Sequence, residues 1–167
     1  MADRTCFQLR IANCPAGEVS EILDIIDEYD LGGEDAADGV LVIGTTYLGQ
    51  EIRCGSAEDI ATSLQERSPG ASWECWEDPK YEWMGRLFRF TPELGLFGTD
   101  CDADGVARFT PQDVHSLVNL PNTLDEPTQA RALGELHTTS LEKMVRDAQR
   151  QSRDRLIAGA PDRPAPL

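Results

Sequence analysis

Six residues, Asp100-Cys101-Asp102-Ala103-Asp104-Gly105, carry the one spacing in this chain that matches a defined chemistry, calcium coordination. Carboxylates at positions 1, 3 and 5 supply hard oxygen ligands, and glycine at position 6 permits the sharp turn that wraps them around the ion. The second half of a twelve-residue loop is missing. Position 12, where a bidentate carboxylate belongs, is Pro111, position 8 is Ala107, and Asp113 comes two residues late. Leu94-Gly95-Leu96-Phe97 does not read as an entering helix either. We therefore read the hexapeptide as an Asp-Gly turn closing a β-hairpin, with Gly105 taking the positive φ, and keep Asp100, Asp102 and Asp104 as a weak cation candidate only. No resident metal or other cofactor is expected.

Nucleophile and acid–base chemistry find little to work with. The two histidines, His115 and His137, have no metal partner at helical spacing, and the five cysteines are scattered, with no Cys-x-x-Cys pair. Cys14 and Cys54 precede expected helices, where backbone N–H groups can lower a thiol pKa, yet neither has a base nearby in sequence. No phosphate-cradling Gly-rich loop with lysine and no Gly-x-Ser-x-Gly elbow occurs. Carboxylate pairs are too abundant to mark a site. The chain is read as a non-enzyme.

Charge is the stronger signal. Residues 1–107 hold 22 Asp/Glu against 7 Lys/Arg, a balance of −15, whereas residues 108–167 hold 8 of each and are neutral. Such a body repels nucleic acid and anionic membranes and attracts basic partners, faster at low salt. Direct nucleic-acid and membrane contact are thus excluded as expectations. The acids most placed to meet a basic surface are Glu21, Asp24 and Glu28 on a first helix, with Asp35, Glu58, Glu77 and Asp78 after it. Duplex DNA shows a charge roughly every 1.7 Å of axis, so one helix cannot imitate it and a second acidic element must contribute.

All three tryptophans fall within Trp73–Trp83, and strand alternation cannot hide both Trp73 and Trp76 on one face. One of the two is therefore either covered by the C-terminal helices or offered to a partner as an anchor, and Trp76 and Trp83 are kept as candidate partner-binding residues. The last helix carries Lys143, Arg146, Arg150, Arg153 and Arg155 against Asp147 and Asp154. We expect it to lie near the acidic body of its own chain or of a second copy, so a homodimer is an open expectation.

The elements that must position these groups follow from periodicity. Thr5–Ile11 alternates as a strand; Val19, Ile22, Leu23 and Ile26 mark a helix from Pro15 to about Tyr29. Val40–Ile43 reads as a short buried strand, Gly44–Gly49 as a turn and Gln50–Cys54 as a third strand. Ser56 with Asp59 reads as a capping box opening a helix to Arg67, and Ser72–Glu77 as a fourth strand. The order βαββαβ suggests an α+β fold with a ferredoxin-like core, extended by antiparallel strands at Met84–Phe90 and Leu94–Thr110. Thr110-Pro111-Gln112-Asp113 caps a short helix, Leu120–Glu126 loops, and a helical stripe from Leu133 to Ala148 is interrupted at His137–Thr139. The expected division is an acidic α+β domain over 1–110, a helical segment over 111–151 that packs on it or dimerises, and a disordered tail over 152–167.

No apolar stretch reaches the roughly 18 residues of a membrane span, and Met1-Ala-Asp-Arg shows no leader. With reduced thiols, a cytoplasmic protein is expected. Of 15 basic residues only Lys80 and Lys143 are lysine, which points to GC-rich coding and a bacterial or phage source. The function expected is a non-enzymatic acidic interaction protein that occupies a basic surface of a partner, most concretely a DNA-mimic inhibitor of a bacterial defence nuclease or another nucleic-acid-binding protein. The alternative is a structural or assembly subunit that self-associates through its Trp cluster and final helix.

Overall fold

A computed structural model describes residues 3–33, 39–118 and 126–158. Those residues form a mixed α+β fold built on one seven-stranded antiparallel sheet of order β2-β3-β1-β4-β5-β6-β7. The strands are β1 Arg4–Asn13, β2 Gly32–Gly33, β3 Thr46–Arg53, β4 Ser72–Glu77, β5 Gly85–Thr91, β6 Gly95–Cys101 and β7 Ala107–Arg108; the helices are α1 Val19–Glu28, α2 Ser56–Arg67, α3 Pro111–Val118, α4 Glu126–Ala132 and α5 Glu135–Ala158.

Alternation along β1 sets the layers. Phe7, Leu9 and Ile11 point to one face and are fully buried under Ile22, Ile25 and Ile26 of α1 and Ala57, Ile60, Ala61 and Leu64 of α2. Trp73 and Cys75 of β4 join them, and Trp73 stacks on Phe90 of β5 at 5.6 Å between ring centroids. On the opposite face Ala12 packs under Leu141 and Val145 of α5. A third cluster of Leu87, Phe97 and Cys101, flanked by Trp76 and Phe109, fills the sheet toward β7. Each buried Leu, Ile or Phe contributes roughly 1.5–3 kcal/mol, so the two helical layers hold the sheet without any disulfide.

Three expected elements fall elsewhere. The β-branched run Val40–Ile43 is not a strand: Leu41 and Ile43 lie half-buried against the main cluster, and the Val42 N–H donates to the Tyr47 hydroxyl at 2.8 Å. The short strand lies instead at Gly32 and Gly33, opposite Leu48 and Tyr47, and β3 begins at Thr46, within the expected Gly44–Gly49 turn, rather than at Gln50. Apolar content reports burial, and here burial is met by packing rather than by a ladder. The helical stripe breaks at Gly134, not at His137–Thr139. Gly134 has φ +74° and the Phe97 ring lies where its Cβ would stand, 2.5 Å away, so a residue able to take the left-handed turn and the close approach is needed there.

Residues 152–158 of the expected tail continue α5, and residues 159–167 lie outside the described set, as does 119–125 of the loop before α4. No helix among the described residues is long and apolar enough to cross a membrane.

Candidate partner-binding surface

α1 and α2 lie side by side on one face of the sheet and bring the expected acids together. Glu21, Asp24 and Glu28 share one side of α1 through i, i+3 and i+4 spacing, and all three converge on Arg67 at the end of α2. The Arg67 Nε meets Glu21 Oε2 at 3.0 Å, its Nη1 meets Glu28 Oε2 at 3.2 Å and its Nη2 lies 3.8 Å from Asp24. Glu21 and Glu28 hold the guanidinium above its usual pKa, the Glu21 hydrogen bond foremost. Arg67 is the hub that the sequence analysis missed, since 39 or more residues separate it from its acids. Asp27, Glu58, Asp59 and Glu66 stand exposed on the same two helices.

Glu77 stands apart from this group. Its side chain is buried, 2% exposed, and receives the Gly55 N–H at 3.0 Å on each oxygen and the Ala57 N–H at 3.2 Å. It caps α2 from the neighbouring strand. The expected box is absent: Gly55, at φ +87°, occupies the cap position and no side chain of the helix's own first turn closes it. Burial pushes the Glu77 pKa up, while the Ala57 and Gly55 hydrogen bonds and Arg86 pull it back.

Asp78 is half-buried as well. Its Oδ1 accepts from Gln8 Nε2 at 3.1 Å, and desolvation raises its pKa. Asp35 lies outside the described residues. Glu74, read from the sequence as one more acid of the exposed face, is instead buried between Arg10 at 2.5 Å and Arg89 at 3.1 Å on the α5 face. An acid flanked by Trp73 and Cys75 in a strand carries no sign of its partners, which come from β1 and β5.

The two tryptophans part company. Trp76 is half-buried, covered by the turn between β6 and β7 rather than by the C-terminal helices: its Nε1 donates to the Ala103 carbonyl at 3.3 Å and its indole lies against Gly105, φ +70°. Trp83 stays 55% exposed at the tip of the β4–β5 hairpin.

The acidic hexapeptide is a hairpin turn in which the Asp100 and Asp102 carboxylates are occupied. Asp102 Oδ1 accepts from the Asp104 and Val106 N–H groups at 3.1 and 2.9 Å, and its Oδ2 meets Arg108 at 2.6 Å. The Val106 hydrogen bond is the main cause of its lowered pKa. Asp100 pairs with Arg86 at 2.9 Å, and among the described residues no three of His, Cys, Asp and Glu converge as metal ligands would. His137 is buried in α5, its Nε2 3.0 Å from the Gly95 carbonyl and its ring 5.6 Å from Phe97. No protein-family model matches this chain, and neither a curated protein nor a solved structure does, so the function rests on the geometry above.

Proposed function

We propose that this protein is a non-enzymatic acidic interaction protein that occupies a basic surface of its partner, with a DNA-binding protein such as a bacterial defence nuclease as the concrete case. One observation carries the reading. α1 and α2, adjacent on the same face, present Glu21, Asp24, Asp27, Glu28, Glu58, Asp59 and Glu66, and the only basic residue in either helix is Arg67. α2, of 12 residues, is about 18 Å long, so these seven carboxylates less the Arg67 charge reach a little over half the charge density of duplex DNA, about one per 1.7 Å. Because Arg67 ties three of them in place, the surface presents its charge preorganised, at a lower entropic cost on binding.

The scaffold belongs to the same proposal. The order βαββαβ over β1 to β4 and the sheet order β2-β3-β1-β4 support a ferredoxin-like core, to which β5, β6 and β7 add an antiparallel extension. Five unpaired thiols support a reducing, cytoplasmic setting.

The test is capture of partners from a bacterial lysate by the full chain at low and high salt. A nucleic-acid-binding protein should be retained, released by salt and displaced by duplex DNA. The triple reversal Asp24→Lys, Glu28→Lys and Glu58→Lys should lose it, and binding with unchanged salt dependence in that variant would end the proposal. The alternative of an assembly subunit draws on Trp83, since Trp76 is covered within its own chain. It requires a stable oligomer at micromolar concentration by light scattering.

A further inference from the structure

The β4–β5 hairpin turns outward three large side chains: Tyr81 is 84% exposed, Trp83 55% and Met84 53%. The tip is a built feature. Lys80 and Trp83 exchange backbone hydrogen bonds at 2.9 Å in both directions, and Tyr81 is held at φ +51°, a left-handed conformation that costs a bulky residue about 1–3 kcal/mol. Behind Trp83 and Met84 lies a groove of about 320 Å³, walled by Glu58 on the first turn of α2 and by Arg86 and Asp100 on β5 and β6, with Glu77 at its base.

Three carboxylates against one guanidinium make this groove acidic, and that guanidinium shows what fits beside them. Arg86 reaches Asp100 at 2.9 Å while stacking over Phe88 at 5.4 Å, a cation held between an acid and an aromatic ring. Glu58 makes no ion pair among the described residues, and Trp83, exposed, lines the groove with it. A tryptophan face and a carboxylate together favour arginine over lysine, because a planar guanidinium stacks and hydrogen-bonds at once. Resting on the function proposed above, we infer that this groove anchors an arginine-bearing segment of the basic partner, with the guanidinium between Trp83 and Glu58 while the α1–α2 face supplies long-range attraction.

The probes are fluorescent nona-arginine and nona-lysine peptides, titrated into the full chain at about 50 mM salt, where surface charges still act over more than 10 Å. The unaltered chain should bind nona-arginine about five-fold or more tightly than nona-lysine. Trp83→Ala should weaken nona-arginine about ten-fold and abolish the preference, with Met84→Ser following it more weakly. The pair Asp24→Asn and Glu28→Gln, away from the groove, should weaken both peptides alike and keep the preference. The inference is overturned, with the acidic-surface reading intact, if both peptides bind and respond to the helical pair but Trp83→Ala leaves nona-arginine within about two-fold. If neither peptide binds, both fall. Micromolar self-association that nona-arginine cannot displace assigns the groove to a second copy and overturns the inference as well.

Discussion

A carboxylate as buried as Glu77 is held in place by two backbone N–H groups that would otherwise be orphaned at the start of α2. Removing it leaves those donors in a water-poor site. Glu77→Ala should therefore destabilise the chain by about 1–3 kcal/mol, while Ser56→Ala, where the helix makes no side-chain cap, should stay within about 0.5 kcal/mol in urea melts. Equal losses would refute the assignment. His137 makes a second residue-scale case. Desolvation lowers its pKa from the usual 6.5, with Arg131 and Arg89 adding to the effect and the Gly95 carbonyl opposing it. The folded value lies below the unfolded one, so the unfolded chain takes up the proton first. The stability tied to neutral His137 is whole above about pH 6.5 and is lost as pH falls below it. Between about pH 7.5 and 5 the melting-temperature advantage of the unaltered chain over His137→Gln should shrink by a few °C. A gap that does not change with pH would contradict this.

At the scale of elements, two helix starts with the same local grammar behave differently. At α3 the box closes as written: the Asp113 N–H donates to Thr110 Oγ1 at 3.1 Å and the Thr110 N–H returns to Asp113 Oδ2 at 2.8 Å. α3 begins exposed at the protein surface; α2 begins beneath the end of β4, and the longer Glu77 arrives first. The α4–α5 break is likewise decided across the sheet, by Phe97 of β6 against Gly134. Gly134→Ala must strain the left-handed backbone and displace that ring, so a loss of about 2–4 kcal/mol is expected in denaturant melts. A loss below about 0.5 kcal/mol would mean that the helix junction is free to move.

For the whole molecule, a net charge of −15 sets the dominant long-range term. Much of the exposed charge lies on α1 and α2 with Arg67 as its counter-ion there, so self-repulsion opposes folding and salt relieves it. Exposed pairs such as Glu142–Arg146, 3.6 Å apart, contribute about 0–1 kcal/mol each and lose little on screening. Raising sodium chloride from about 20 to 300 mM should therefore increase the melting temperature by a few °C. A fall would show that the ion pairs outweigh the repulsion.

Periodicity and charge count made much of this molecule legible before any coordinates. The alternation Phe7, Leu9, Ile11, the stripe Ile22–Ile26, both limits of α2 and the Thr110–Asp113 box are local patterns, each set by neighbours within a few residues, and such patterns survive in one dimension. The acids on α1 and their shared side were readable for the same reason. What those acids do was not. Whether a carboxylate faces a partner, caps a helix as Glu77 does, or sits between Arg10 and Arg89 as Glu74 does depends on strands brought together from distant parts of the chain. The strand role passed from Val40–Ile43 to two glycines, and Trp76 was covered while Trp83 was left open, by the same cause. Burial and pairing are properties of what the sheet places overhead, and only the tertiary structure says what that is.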